Sequence, residues 1–266
     1  MILKEYLLKT LKLYLIWTVV YFPLAIYHFV SESIQPIQAV LLYLRGFFLV
    51  GEQYNSWPLW YLLSTIYALL WIILLLKHNL KFRWILYIGA LIFLISIFIT
   101  FFTGYNGNLP TPILFAQKIL QKSIVQGRIF IGMFYIPVGM YFSKQSLPNH
   151  IAWILTICGF LTNAVIENTI ISSVLIAITT IGLFDIITKL RLSNLPFYYM
   201  ARKMSTVIYF IHMYVWSIYY KLVYGEKTFG FDCFVVTSFI CITIAFIYVY
   251  VWQKRDRIES SRQMPQ

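Results

Sequence analysis

Charge is what this 266-residue sequence has least of. Only 11% of its residues are Asp, Glu, Lys or Arg, against about 25% in ordinary soluble domains. A water-soluble globule of this length would lack the material for a polar shell. Acidic residues are the scarcer sign: nine face 21 Lys and Arg, a formal net charge of +12. The three cysteines, Cys158, Cys233 and Cys241, sit in apolar stretches without Cys-x-x-Cys or Cys/His spacing. That excludes a zinc site, and no outward loop holds a disulfide pair; they read as small residues facing lipid or core. Also missing are a Gly-rich phosphate loop, a Gly-x-Ser-x-Gly elbow and a His-Glu-x-x-His pair, which excludes the commonest nucleotide-binding, hydrolase and metalloprotease signatures. There is no heptad run, low-complexity tract or internal repeat. The first apolar block runs on without an Ala-x-Ala-like site, so no cleavable signal peptide is expected.

What is present is hydrophobic, at 61% of residues and a mean hydropathy of +0.77. The apolar residues come in long blocks, and about 20 of them in a row suffice to cross a bilayer. Nine segments qualify by composition: 11–30, 36–50, 57–76, 84–103, 127–143, 150–167, 169–188, 205–223 and 231–252. The second is short, carries Arg45 and Gly46, and leads into Gly51-Glu52-Gln53-Tyr54-Asn55. It reads as an interfacial or re-entrant segment, which leaves eight crossings. The expected fold class is all-α, a polytopic transmembrane helical bundle of about eight spans over 1–252, with a short polar tail at 253–266.

The positive-inside rule supports that count. With the N-terminus in the cytoplasm, the inner segments hold Lys4, Lys9 and Lys12, then Lys77, Lys81 and Arg83, then Lys144. They continue with Lys189, Arg191, Arg202 and Lys203, and end with Lys254, Arg255, Arg257 and Arg262. Only Arg45, Lys118, Lys122, Arg128, Lys221 and Lys227 stay outside. Both termini are therefore expected in the cytoplasm of a plasma membrane. The basic excess is a topological signal, and the expected partner is the lipid bilayer rather than a nucleic acid. Aromatic residues, 19% of the chain, cluster at span ends, as at Trp57, Trp60 and Tyr61, where ring amphipathicity anchors them. The two longest outward segments, 31–56 and 104–126, are candidate lids or substrate-contacting loops.

Ionisable groups within spans cost about 2.5–3.5 kcal/mol on insertion scales, so each calls for a reason. Arg128 opens a helix carrying Gly132, Pro137 and Gly139. Two readings stand: it snorkels to outer headgroups, or it holds an anionic or polar group within the bundle, where the small residues and proline permit a lined cavity. His212 lies deep in an apolar helix. It either bonds a neighbouring helix or handles a proton or substrate. Asp185 precedes Lys189 by four residues, a local ion pair at the membrane edge. Glu167 and Asn168 mark a tight turn, and His28 with Glu32 reads as a solvated helix end. No metal site is expected.

Four segments in order resemble acyltransferase family 3, a family of membrane O-acyltransferases. Trp57-Pro58-Leu59-Trp60-Tyr61-Leu62 resembles its Leu-Trp-Phe/Tyr-Leu signature. The Arg128 helix through Gly139 is similar to a later arginine-bearing span, and Ser205 to His212 to its Ser-x-x-Ile-Tyr-Leu-Ile-His segment. Lys4 through Trp17 resembles the basic stretch leading into its third helix. The membrane domains of serine/alanine racemases of glycopeptide resistance are similar around Tyr21 to Tyr27. The resemblance implies transfer of an acyl group, usually acetyl, from cytoplasmic acyl-CoA as co-substrate to a hydroxyl of a cell-surface glycan or lipid-linked acceptor, with no bound cofactor. Arg128, Trp60, Tyr61 and His212 become the candidate donor- or substrate-binding residues, with Arg128 at donor phosphate or developing oxyanion. The family's first two helices, and the Arg…His motif on the first, have no counterpart here, and Pro58 stands where relatives often carry His. The expectation is thus an N-terminally truncated member without the family's catalytic histidine. The alternative is a non-enzymatic transporter or sensor, against which the absence of an internal repeat counts.

Overall fold

The computed structural model describes residues 2–124, 127–166, 168–190, 195–225, 228 and 230–262, the last from Gln253 onward as backbone only. Glu167, Arg191 and Lys227 lie outside the described residues. Ten α-helices follow in chain order: α1 (Ile2–Ser31), α2 (Pro36–Arg45), α3 (Pro58–Lys77), α4 (Phe82–Gly104), α5 (Thr111–Ile124), α6 (Arg128–Phe142), α7 (Asn149–Val165), α8 (Thr169–Lys189), α9 (Pro196–Tyr219) and α10 (Phe231–Arg262). α2 and α9 each run on into a π-helical turn, Gly46–Val50 and Tyr220–Tyr224. No strand occurs among the described residues. The architecture is all-α.

The solvent that suits this bundle is hydrocarbon. Val19 (72% exposed), Phe98 (63%), Phe160 (66%) and Phe239 (70%) point outward, while Ser56, Ser64 and Asp185 are fully buried. An apolar surface this extensive marks contact with lipid rather than water. Five of the eight expected crossings are long and apolar enough to span: α1, α3, α4, α8 and α10. At about 1.5 Å per residue, the 15 residues of α6 and 17 of α7 fall short of a hydrocarbon core about 30 Å thick. α9 has 24 residues but carries Arg202 and Lys203 in its second turn. Hydroxyls inside these helices bond back to their own backbone, as Thr18 Oγ1 does to Tyr14 O (2.8 Å) and Ser217 Oγ to Met213 O (2.7 Å). A hydroxyl bonded in this way needs no water.

α3 sits at the centre, against α1, α6 and α9. α6 is keyed between α3 and α4 by small residues. A Cβ on Gly132 would stand 2.7 Å from the Ser64 carbonyl oxygen, and Ser64 Oγ accepts the Gly132 N–H (2.9 Å) and donates to Ile129 O (3.0 Å). Gly127, in the left-handed region at φ 64°, starts α6 and receives a bond from Ser96 Oγ on α4 (3.0 Å). The core where α1, α3 and α9 meet is aromatic: Tyr14, Tyr21, Leu59, Leu62, Leu63, Ile66, Phe210 and Met213. There Trp17 stacks on Phe210 at 4.7 Å, and Tyr21 donates to Phe210 O at 2.5 Å.

α7 and α8 form an antiparallel hairpin. Gly182 faces Ala152, and Gly159 faces Thr179, so the backbones approach closely. Asn168 caps α8, accepting from the N–H groups of Ile170 (3.0 Å) and Ile171 (3.2 Å). The far end is closed by Asp185, which pairs with Lys189 at 2.5 Å and accepts the Leu147 N–H at 2.9 Å. The i, i+4 pair is the one expected, and Asp185 is fully buried.

The two long segments expected as loops are built differently. Most of 104–126 is α5, whose Gln117 donates to Phe102 O and Tyr105 O (both 2.7 Å) and whose Gln121 donates to Thr103 O (2.6 Å). These amides satisfy the last carbonyls of α4, which no helical partner reaches. The segment 31–56 holds α2 and its π turn, fifteen residues that end at Gly51 with φ 70° and fold back toward α3. The turn leaves carbonyls without their usual partners, and phenols supply them: Tyr14 donates to Phe47 O (2.6 Å), Tyr67 to Phe48 O (2.8 Å). Irregular backbone at membrane depth survives on such substitutes.

Candidate functional site

Among the described residues three cavities lie around the α1–α3–α9 core, and of the four candidate residues Tyr61 and His212 line two different ones while Trp60 and Arg128 line none of the three. The first, about 620 Å³, lies among Tyr6, Lys9, Thr10 and Leu13 of α1, Tyr61, Leu62 and Thr65 of α3, and Ser205, Thr206, Tyr209 and Phe210 of α9. It combines one ammonium with a ring of hydroxyls. Residues near the start of α1 meet residues near the start of α9 here, and Lys221, just past the end of α9, lies over the Tyr27 ring at 3.3 Å. α1 and α9 therefore run in the same direction, with Lys4, Lys9 and Lys12 at the same end as Arg202 and Lys203.

The second cavity, about 760 Å³ and largely apolar, lies between α9 and α10. Trp57, Ile208, His212, Met213, Trp216, Thr237 and Cys241 are on its wall. His212 Nδ1 lies 2.7 Å from Tyr209 O and 3.3 Å from Ile208 O. A carbonyl only accepts, so Nδ1 carries the proton, and in the neutral ring Nε2 is the acceptor. The partner is the backbone of its own helix, not the neighbouring helix expected from sequence. Thr237 Oγ1 on the same wall is buried without a partner among the described residues. Tyr209 lines the first cavity, and its hydroxyl donates to Pro58 O (3.3 Å), next to Trp57 on the wall of the second.

The third cavity, about 330 Å³, is enclosed by the end of α1, α2 and the segment 51–57, with His28, Arg45, Glu52, Gln53, Asn55 and Trp57 on its wall. Arg128, at the first turn of α6, reaches Glu52 with Nη1 2.8 Å from Oε2. The cation read from sequence thus holds an anionic group within the bundle, and that group is this chain's own. Burial raises the Glu52 carboxyl above its ordinary pKa, while Arg128 and then Arg45 pull it down. Asn55 Nδ2 donates to Ser217 Oγ on α9 (2.9 Å), and Gln53 N–H to Ser56 Oγ (2.7 Å). His28 stacks on Tyr54 at 4.4 Å, 8° from parallel.

Of the sequence candidates, Tyr61 lines the first cavity and His212 the second. Arg128 braces the third through Glu52. Trp60 packs against Gly51, with its ring edge-on to Tyr61 at 6.3 Å. Sequence reasoning missed Lys9, Tyr209, Gln53 and Glu52 as lining groups. A signal existed for the last: a carboxylate following an apolar run carrying an arginine. It indicated only that 36–50 was no ordinary span. Among the described residues no cluster of three or more His, Cys, Asp or Glu could hold a metal. No protein-family model matches the chain, and neither a curated protein nor a solved structure matches it.

Proposed function

We propose that this chain is an eight-span plasma-membrane acyltransferase of the acyltransferase family 3 kind, with both termini in the cytoplasm. It moves an acyl group, acetyl in the simplest case, from acyl-CoA to a hydroxyl of a cell-envelope glycan or lipid-linked acceptor. The shared direction of α1 and α9, which brings two basic clusters to one end, supports the topology. In that orientation the Lys9 cavity opens on the cytoplasmic side, where its ammonium and hydroxyls suit the phosphates of the donor.

The observation that carries the reading is His212 on the wall of the second cavity, with Nδ1 2.7 Å from the Tyr209 carbonyl. With Nδ1–H given to that carbonyl, Nε2 of the neutral ring keeps a lone pair. There Nε2 takes the proton from the acceptor hydroxyl as its oxygen attacks the thioester carbonyl. The C–O bond forms, the C–S bond breaks, and the proton passes from the imidazolium to the departing thiolate. General base catalysis of this kind contributes about 10²–10⁴-fold. Arg128 acts at one remove. Through Glu52 it holds the segment 51–57, and with it Trp57, against the cavity. In this role it is a positioning residue rather than a contact to developing charge.

The test is acetyl transfer from labelled acetyl-CoA to a hydroxyl-bearing envelope glycan, by purified protein in nanodiscs. His212→Gln is expected to lower turnover by about 10²–10⁴-fold. Wild type that transfers nothing, or His212→Gln that equals wild type, would defeat the reading. A second reading, transport, is favoured by one feature: two interrupted segments meet at the Arg128–Glu52 pair. They are α2 with its π turn, and α5–α6, inclined at 62° to each other. Broken helices meeting in this way line substrate paths in transporters. Solute flux into proteoliposomes without any acyl donor would replace the first reading by the second.

A further inference from the structure

We propose that the apolar cavity between α9 and α10 binds a lipid alcohol, a molecule with one hydroxyl on a long hydrocarbon body, and that this alcohol is the acyl acceptor. The acceptor role rests on the acyl-transfer reading; the binding site does not. α9 and α10 pack side by side, and each puts one polar side chain on the cavity wall, His212 and Ser238. Both are only partly buried, so neither is sealed from the space it lines.

The two groups are complementary. His212 gives Nδ1–H to the Tyr209 carbonyl at 2.7 Å, and its Nε2 makes no hydrogen bond among the described residues. In the neutral ring that nitrogen only accepts. Thr243, one turn beyond Ser238, donates back to Phe239 O at 2.9 Å, the usual arrangement in these helices. Ser238 makes no such bond among the described residues, so its proton is free to be given. Its neighbour Thr237 is unbonded too, but its oxygen is enclosed and reaches no ligand. Open polar groups at membrane depth call for partners. A ligand hydroxyl serves both at once, donating to Nε2 and accepting from Ser238. A phospholipid tail would leave both unmatched. A glycan would press hydroxyls against Ile208, Met213, Phe234 and Ile242, and polar groups buried without partners are costly.

Size and access agree. A volume of about 760 Å³ is well inside the range of ligand sites, about 300–1,000 Å³. It far exceeds what one hydroxyl fills, and the remainder is apolar. Phe231 (79% exposed), Phe234 (67%) and Ile242 (50%) line the cavity and also stand on the outer surface of α10. A hydrocarbon body therefore passes from the bilayer into the cavity without crossing water. In the acyl-transfer reading the alcohol oxygen attacks the thioester carbonyl and Nε2 takes its proton, which passes on to the departing thiolate. The products are a lipid ester and the free thiol of the donor.

The experiment uses the full chain, delipidated and placed in phosphatidylcholine nanodiscs. With no acyl donor present, retention of oleyl alcohol and of oleyl methyl ether is counted by native mass spectrometry. The ether keeps the chain and an acceptor oxygen and lacks the proton for Nε2. The alcohol is expected to bind about tenfold more tightly. Ser238→Ala should weaken its binding about threefold, and His212→Leu should erase the preference for alcohol over ether. Equal retention of the two by wild type overturns the site, and so does an unchanged preference in His212→Leu. If His212→Leu fails to fold, the wild-type comparison and Ser238→Ala decide alone. A second arm adds labelled acetyl-CoA and offers oleyl alcohol beside a hydroxyl-bearing envelope glycan. Oleyl acetate is the expected product. Acetylated glycan without oleyl acetate overturns the lipid acceptor and leaves acyl transfer standing. Retention of the alcohol without transfer to either removes the acyl-transfer reading and the acceptor role together, and the binding site stands.

Discussion

The α7–α8 hairpin and the α1–α3–α9 core solve the same problem in opposite ways. The hairpin brings backbones together over Gly182 and Gly159 and closes its end with one fully buried ion pair. The core keeps its helices apart with tyrosine, tryptophan and phenylalanine, and cavities of about 620 and 760 Å³ border it. In hydrocarbon there is no water to drive helices together, so association rests on close packing and polar bonds. Where small residues abut, packing is complete. Where large rings abut, gaps remain, and the gaps are where the ionisable and hydroxyl groups accumulate. The lesson is that candidate chemistry sits on the loosely packed side, and the hairpin is scaffold.

That contrast can be broken from the scaffold side first. Lys189→Met leaves Asp185 buried without its cation, and breaking such a pair costs about 3–5 kcal/mol. Thermal unfolding in detergent is expected to show this as a large loss, with the proposed acyl transfer by the surviving folded fraction unchanged. A stable variant would mean that Asp185 takes up a proton instead. Gly182→Leu is next: a Cβ there would stand 2.7 Å from Ala152 O, and forced overpacking costs about 1–3 kcal/mol. If the hairpin tolerated leucine at Gly182 without loss, its close approach would not be what holds it.

On the core side the single effects are smaller because the load is shared among rings. Tyr21→Phe removes the bond to Phe210 O while keeping the ring, with an expected loss of about 1 kcal/mol read from the same melts. The smallest effect is a pH slope. Glu52 has a native pKa raised by burial, so the native state binds its proton more tightly than the unfolded chain does. Its contribution to stability is full below the ordinary glutamate pKa and is lost as pH rises through the native value. Wild type should therefore lose stability relative to Glu52→Gln as pH rises across that window. An opposite slope would show that the Arg128 pair outweighs burial.

Much of the scaffold was legible in the sequence because hydropathy is a local property. The runs that became α1, α3, α4, α8 and α10 are long and apolar, and Asp185 with Lys189 is a four-residue spacing. α5 was missed because Gln117, Lys118, Gln121 and Lys122 dilute its hydropathy. The amides at Gln117 and Gln121 are the groups that dock it under α4. The π turn after Arg45 was illegible for a different reason: the phenols that sustain it, Tyr14 and Tyr67, lie tens of residues away on two other helices. The Arg128–Glu52 pair spans 76 residues and has no local signature at all. Arg128 itself was visible as a costly cation, and its partner was not.

Those two phenols have a mechanical consequence. Tyr14 on α1 and Tyr67 on α3 grip adjacent carbonyls, Phe47 and Phe48, of one short turn. A sliding displacement of either helix must release a carbonyl into hydrocarbon, so the elbow works as a rivet between them. α9 is tied into the same core by a third phenol, since Tyr21 of α1 donates to its Phe210 carbonyl at 2.5 Å.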